Sequence, residues 1–244
     1  PTDYDTIHSR LKIKQDELNR WNEIATNMYL PYSEELAVWL QQDGFLDKEL
    51  LDISHISSSQ RPINQHWSWD RILRSPYIKQ ADVLQGFYFF EDHFSKEQLR
   101  HNFDFYEPFT VHESSLSPSI HAILAASLDR VEQAYAFYLR TSRLDLDDYN
   151  AEVSEGLHIT SMAGTWLSVV EGFGGMRIKE GALHFTPRLP NAWKSLSFKI
   201  NFRGATLQLC IDKKASQITL LKGNPVPVFL NDEQVLMPLK SVLS

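Results

Sequence analysis

The sequence predicts a multidomain α+β protein, with an all-helical array over residues 1–172 and a small antiparallel β domain over residues 173–244. Three observations predict it. Apolar residues recur at helical spacing through most of the first part. The connections between these runs are short, which makes successive helices antiparallel neighbours. At Gly172-Phe173-Gly174-Gly175 the period then changes from roughly 3.6 residues to 2.

The elements follow in order. Ile7, Leu11, Ile13, Leu18, Trp21, Ile24, Ala25 and Met28 give residues 6–28 a near-helical period, and Pro31 stops the run. A second, short amphipathic stretch from Glu34 to Gln41 runs into the turn pair Asp43-Gly44. Residues 42–76 read as loop, with Ser57-Ser58-Ser59, Arg61-Pro62 and the pair Trp67 and Trp69; a loop this long inside a compact domain is usually functional. Lys79–Phe90 reads as helix, with Lys79 and Gln80 at its start. Ser95 caps a helix over Lys96–Tyr106. Ser117-Pro118 places an N-cap directly before proline at the first helical position of a helix over 118–127. Helices over about 129–143 and Leu157–Glu171 complete the array, the last holding the small residues Ala163 and Gly164.

Beyond the glycine cluster, strands are expected at Met176–Ile178, Ala182–Phe185, Leu196–Phe202, Ala205–Ile211, Gln217–Leu221 and Pro225–Phe229. Arg203-Gly204 and Lys222-Gly223-Asn224 supply turns between them. Alternation is clearest in Leu196-Ser-Phe198-Lys-Ile200-Asn-Phe202.

Composition narrows the function classes. A net charge of −7 argues against a nucleic-acid or anionic-membrane partner. The single cysteine, Cys210, excludes an intramolecular disulfide framework and fits a reducing compartment, so a cytoplasmic location is expected. No apolar run approaches the roughly 20 residues of a membrane span. The nine histidines show no metal-ligand spacing, so no metal is expected. Gly-x-Gly-x-x-Gly, Walker and Gly-x-Ser-x-Gly patterns are also absent.

Two stretches carry chemistry. His112-Glu113-Ser114-Ser115-Leu116-Ser117 and Gly156-Leu157-His158-Ile159-Thr160-Ser161 each crowd hydroxyls and a histidine at a helix start. Unpaired amides and the positive end of the macrodipole make such a start an anion site. Ser117 is explained as a cap, whereas Ser114 and Ser115 are not needed for one and can donate to phosphate. His158 reads either as a structural histidine bonded to a carbonyl or as a phosphate ligand beside Thr160 or Ser161. Lys79-Gln80 reads either as a solvated helix start or as a binder of sugar hydroxyls and an anion.

Taken together, Arg61-Pro-Ile-Asn-Gln-His-Trp67-Ser-Trp-Asp70, Ile78-Lys-Gln-Ala-Asp-Val83, His112–Ser117, Gly156–Trp166 and Phe185-Thr-Pro-Arg-Leu-Pro190 resemble the inverting disaccharide phosphorylases of glycoside hydrolase family 65. The resemblance covers essentially the whole chain. Its Trp67–Asp70 stretch is closest to the maltose enzymes of that family. It implies the C-terminal part of an (α/α)6 barrel followed by a small antiparallel β-sandwich, acting as part of a longer chain and as a homodimer. It implies transfer of a glucosyl unit from a disaccharide to inorganic phosphate with inversion, giving β-glucose 1-phosphate; phosphate is a co-substrate and no cofactor is required. Lys79 and Gln80 match the residues that contact the glucosyl unit. Ser114, Ser115, His158, Thr160 and Ser161 match the phosphate region.

The chemistry fits that resemblance. An inverting glycosidase needs an acid for the leaving oxygen and a base to activate water. A phosphorylase needs no such base, because phosphate is already a nucleophile. The family's general acid is a glutamate in a Gly-Pro-Asp-Glu-like motif, which this sequence does not contain, so the acid is expected upstream of Pro1. Two other readings remain at this level: an inverting hydrolase with Glu113 as base, and a non-catalytic carbohydrate-binding fragment with the aromatics as sugar platforms. The isolated 244 residues are expected to release no glucose 1-phosphate from maltose and phosphate; measurable release would overturn that expectation.

Overall fold

The computed structural model of the protein describes residue 7 and residues 9–235; the start of the first helical run, at residue 6, lies outside them. Residues 9–11 are helical, but Lys12 adopts a left-handed conformation and breaks the run. A new helix, α1, then spans Gln15–Thr26, and Glu17 caps it by accepting the Lys14 amide at 2.9 Å. None of its residues is buried, and Trp21 remains half exposed. The amphipathic period is present, but its apolar face meets no cover among the described residues.

The stretch from Glu34 to Gln41 is a hairpin rather than a continuous amphipathic segment. Strands β1 (Tyr32–Ser33) and β2 (Val38–Trp39) pair antiparallel, with Ala37 left-handed in the turn. Tertiary contacts explain the difference. The Trp39 amide donates to Asn102 Oδ1 at 3.0 Å, and Tyr106 Oη donates to its carbonyl at 2.6 Å. The Trp39 ring meets Phe87 and Phe94 edge-on. Residues 42–76 are mostly turns, with two short helices, α2 (Ile63–His66) and α3 (Trp69–Arg74).

Helix α4 covers Val83–Phe89, so Lys79 and Gln80 precede it instead of opening it. Helix α5 spans Lys96–Tyr106 with the expected cap, the Gln98 amide donating to Ser95 Oγ at 3.1 Å. Helix α6 (Ser117–Ser127) is buried from its first residue to Ala126. A helix buried on every side belongs at a centre, and α6 is that centre. Helix α7 (Val131–Ser142) packs against it across a three-residue link. Helix α8 is a single turn, Leu144–Asp147, and α9 (Ile159–Leu167) continues as a π-helical turn over Ser168–Phe173. Phe45, Leu84, Phe103, Leu124, Ala134 and Phe173 are among the residues that form the helical core around α6.

Two glycine positions show how α9 sits. A Cβ on Gly164 would lie 2.6 Å from Ser119 Oγ, and one on Gly172 would lie 3.7 Å from Ile123 Cα. Both residue numbers rise together, so α9 and its extension run alongside α6 in the same direction. Their N-terminal ends therefore lie at the same end of the pair.

Strands follow. Sheet one has the order β3 (Arg177–Lys179), β4 (Ala182–Phe185), β8 (Val228–Leu230), β9 (Glu233–Gln234). Sheet two is the meander β5 (Ser195–Phe202), β6 (Ala205–Asp212), β7 (Ser216–Lys222). The purely antiparallel expectation is corrected at one place: β8 returns from the second sheet to pair parallel with β4. Leu183, Phe185 and Val228 from one sheet share a core with Leu207, Leu209, Ile211 and Leu220 from the other. Arg203 and Gly204, both at positive φ, turn the β5–β6 hairpin in the sense that matches strand twist.

Strands and helices are tied at their junction. Arg177 pairs with Glu91 and donates to the Glu171 carbonyl at 2.8 Å, and Arg188 Nε donates to Asp129 at 2.6 Å. Trp193 inserts its ring among Tyr138, Phe173 and Tyr135. Gly175, at φ +62°, lets the chain turn within 2.1 Å of the Thr186 carbonyl from where a Cβ would stand. Gly175→Ala should therefore destabilise by at least about 1–3 kcal/mol, the cost of left-handed strain alone. Urea unfolding of the protein checks this, and a midpoint unchanged from wild type would contradict it.

Candidate functional site

One parallel bridge organises the site. The Ile78 amide donates to the Phe109 carbonyl at 2.9 Å, and the Val111 amide donates to the Ile78 carbonyl at 2.9 Å. Lys79 and Gln80 thus run beside the entry to the Ser-rich segment, with both side chains exposed. That segment ends at the start of α6. The Gly156–Ser161 segment ends at the start of α9, at the same end of the helix pair. The C-terminal end of α7 joins them, because Ser161 Oγ donates to the Thr141 carbonyl at 2.6 Å.

The individual residues divide into those facing outward and those committed inward. Ser115 is half-buried and Thr160 is exposed. Ser114 Oγ accepts the Leu116 amide at 3.2 Å, a local turn that leaves its hydroxyl proton for another acceptor. Ser161 is different from the expectation. It is buried, its hydroxyl is committed to Thr141, and it serves as a helix–helix tie instead of a ligand. Ser117 also departs from its expected cap role. Leu116 occupies the cap position, while the Ser117 hydroxyl lies 3.0 Å from His112 Nδ1.

Glu113 is buried, and both carboxylate oxygens are taken. Arg61 Nε donates to one at 2.8 Å and the Ile63 amide to the other at 2.6 Å. The reading of Glu113 as the base of a hydrolase is thereby corrected, since the carboxylate is buried and paired with Arg61, away from solvent water. Its role is to bind the Arg61 loop beneath the Ser-rich segment.

His158 is held by a residue that the sequence analysis did not single out. Asp145 Oδ1 accepts from His158 Nδ1 at 2.5 Å, and Oδ2 accepts the His158 amide at 2.9 Å. These two bonds hold the Asp145 carboxyl below the usual carboxylate range, the amide first and the ring second. The other ring nitrogen, Nε2, lies 3.8 Å from Glu152.

Residues 2–167 match the glycosyl hydrolase family 65 central catalytic domain, and residues 176–237 match the family's C-terminal domain. The chain belongs to glycosyl hydrolase family 65. It is 51% identical over 227 residues to the maltose phosphorylase of Bacillus subtilis, covering 93% of this chain and 30% of that protein. The α,α-trehalose phosphorylase of Thermoanaerobacter brockii is 42% identical over 237 residues, with 97% and 31% covered. A solved structure named "Putative kojibiose phosphorylase from human microbiome" superposes with a TM-score of 0.86 at 38% identity, covering 96% of this chain and 31% of that one. The family 65 chain thus spans about a third of the length of these relatives.

Beneath its Ser-rich segment, the family 65 chain buries a second ionisable group of residues. His121 Nδ1 lies 2.8 Å and His112 Nε2 3.3 Å from the same Glu107 oxygen. Arg140 donates to the His112 carbonyl at 2.8 and 3.2 Å, and His112 itself has φ +55°. Two histidines and a carboxylate have the composition of a metal site. Here each ring nitrogen reaches the oxygen directly, so mutual hydrogen bonds hold the group together. Sequence spacing missed it because the two histidines lie on different elements.

Burial alone would push the Glu107 carboxyl up, but the two imidazole donors outweigh it and bring it down to about 2. Burial pushes His112 down to about 4, against the opposing bond from Glu107. Both groups bind fewer protons folded than unfolded, so stability falls as pH falls. For His112 the window runs from its ordinary 6.5 down to about 4. The melting temperature of the protein should fall across that window, and His112→Asn should flatten the slope between pH 6.5 and 4. An unchanged slope in the variant would count against the assignment.

Proposed function

We propose that this chain forms the phosphate- and glucosyl-binding part of a disaccharide phosphorylase that cleaves maltose with inversion. One observation carries the reading: both hydroxyl-rich helix starts lie at the same end of the α6–α9 pair, with Lys79 and Gln80 bridged alongside. A phosphate among Ser114, Ser115, Thr160 and His158 meets hydroxyl donors, an imidazole and two helix N-termini. The groups suit an oxyanion nucleophile, and the one carboxylate of that segment, Glu113, is withdrawn into its bond with Arg61.

In this reading, Lys79 and Gln80 hold the glucosyl unit by its hydroxyls. Phosphate attacks the anomeric carbon from the face opposite the leaving sugar, and inversion follows from that single displacement. A glutamate from the remainder of the enzyme protonates the leaving oxygen. Residues 1–172 supply part of an (α/α)6 barrel, and residues 173–244 form a β-sandwich that braces it through Arg177, Arg188 and Trp193. Inorganic phosphate is the co-substrate and no cofactor takes part. The 51% identity to a maltose phosphorylase and the Trp67–Asp70 stretch support maltose over trehalose or kojibiose.

The test uses the complete enzyme that contains this chain. With maltose and phosphate, proton NMR should show β-glucose 1-phosphate and glucose in equal amounts, and no cleavage without phosphate. Phosphate-independent release of glucose would overturn the reading. His158→Ala should raise the KM for phosphate about tenfold or more, the worth of a lost charge-assisted hydrogen bond, with a smaller change in the KM for maltose.

A further inference from the structure

We propose that Asp145 is a positioning residue for phosphate, fixing His158 so that Nε2 is the nitrogen presented to the nucleophile. The inference rests on the reading of His158 as a phosphate ligand. Its basis is a two-point contact: one Asp145 oxygen accepts from the ring and the other from the backbone amide of the same histidine. A single contact would leave the ring free to swivel about χ1 and χ2. Two contacts from one rigid carboxylate fix both the residue's place in the chain and the plane of its ring. A carboxylate behind a ligating imidazole is a recurrent way of setting which nitrogen meets the ligand.

The surroundings leave Asp145 to this task. Arg143, the nearest cation in sequence, is engaged by Asp147 at 2.6 and 2.7 Å. Asp145 and His158 are mostly buried, their side chains 16% and 19% exposed, so water competes weakly for the contact. Asp145 lies on the single turn α8, and His158 occupies the cap position of α9 without capping it. The ring is therefore held from α8 and not by its own helix.

On the opposite side of the ring stands a second carboxylate. Glu152 places a carboxylate oxygen 3.8 Å from Nε2, and its own backbone amide is tied to Asp148 at 2.9 Å. With Nδ1 committed to Asp145, Nε2 is the nitrogen that faces an anion. A phosphate oxygen bonded there takes over the side now occupied by Glu152. The ligand class is that of the proposed function, which requires phosphate to displace the Glu152 carboxylate, and inorganic phosphate is the probe.

Asp145→Asn in the complete enzyme tests the proposal. The amide still accepts the His158 backbone N–H through its oxygen but presents N–H groups to Nδ1, where the carboxylate accepted. The KM for phosphate should rise about tenfold, with the KM for maltose within twofold and the melting temperature without phosphate within a few degrees. The phosphate-induced rise in melting temperature should shrink in parallel. Asp145→Glu, which keeps the charge on a longer arm, should fall between wild type and Asp145→Asn, and it serves as the second variant should Asp145→Asn fail to fold. His158→Ala is run beside them. If it raises the KM for phosphate and neither Asp145 variant does, the positioning role is overturned while the phosphate reading stands. If His158→Ala leaves that KM unchanged, the phosphate reading falls and the positioning role with it.

Discussion

The close approach of α9 to α6 is the constraint on which the rest depends. It requires a residue without a side chain at Gly164, because Ser119 occupies the space a Cβ would need. One turn earlier, the Ser161–Thr141 hydrogen bonds tie α9 to α7, which itself packs on α6. These contacts set the direction of α9 and bring its N-terminal end level with that of α6. Separate these helices and the two hydroxyl-rich helix starts become unrelated surface features. Helix α6 can serve as the post because it is buried around its whole circumference, so it accepts neighbours on every side.

Around that post, the polar groups beneath the site pair with one another, His121 Nε2 and Asn150 Oδ1 excepted, and the pairing shapes the surface above. Arg61 and Glu113 tie the long loop to the Ser-rich segment, and Arg140 grips the His112 carbonyl. Glu107 collects two histidine rings on one oxygen. Breaking one member of such a set strands its partner in a dry interior, which costs more than the bond contributes. The left-handed backbone at His112 persists for the same reason: ring and carbonyl are held independently.

Apolar side chains at the surface belong to the same account. Leu157, Ile159, Met162 and Trp166 on or beside α9 are exposed, as are Trp69, Leu73 and Phe89. On α1 no residue is buried, although its spacing is that of an amphipathic helix. Faces this apolar mark contact surfaces on a folded protein. The chain spans about a third of the length of the relatives it matches.

Sequence by itself determined the helical identity of α5, α6, α7 and α9, the change of period at Gly172–Gly175, and the strands through Lys222. Each rests on local physics: a cap at Ser95, repeated apolar spacing, or alternation between two faces. It also marked Lys79, Gln80, Ser114, Ser115, His158 and Thr160 as candidates, because polar side chains at or just before helix starts are legible residue by residue. Tertiary structure decided the rest. Ser161 and Ser117 look identical to ligands or caps in sequence, and only their neighbours Thr141 and His112 show where their hydroxyls point. Glu34–Gln41 became a hairpin because Asn102 and Tyr106, distant in sequence, bond the Trp39 backbone. β8 paired parallel with β4 because the chain returns from a second sheet, which no local pattern encodes. Asp145 and Glu107 carry no motif at all; their meaning is a distance, set by packing between segments that a linear reading keeps apart.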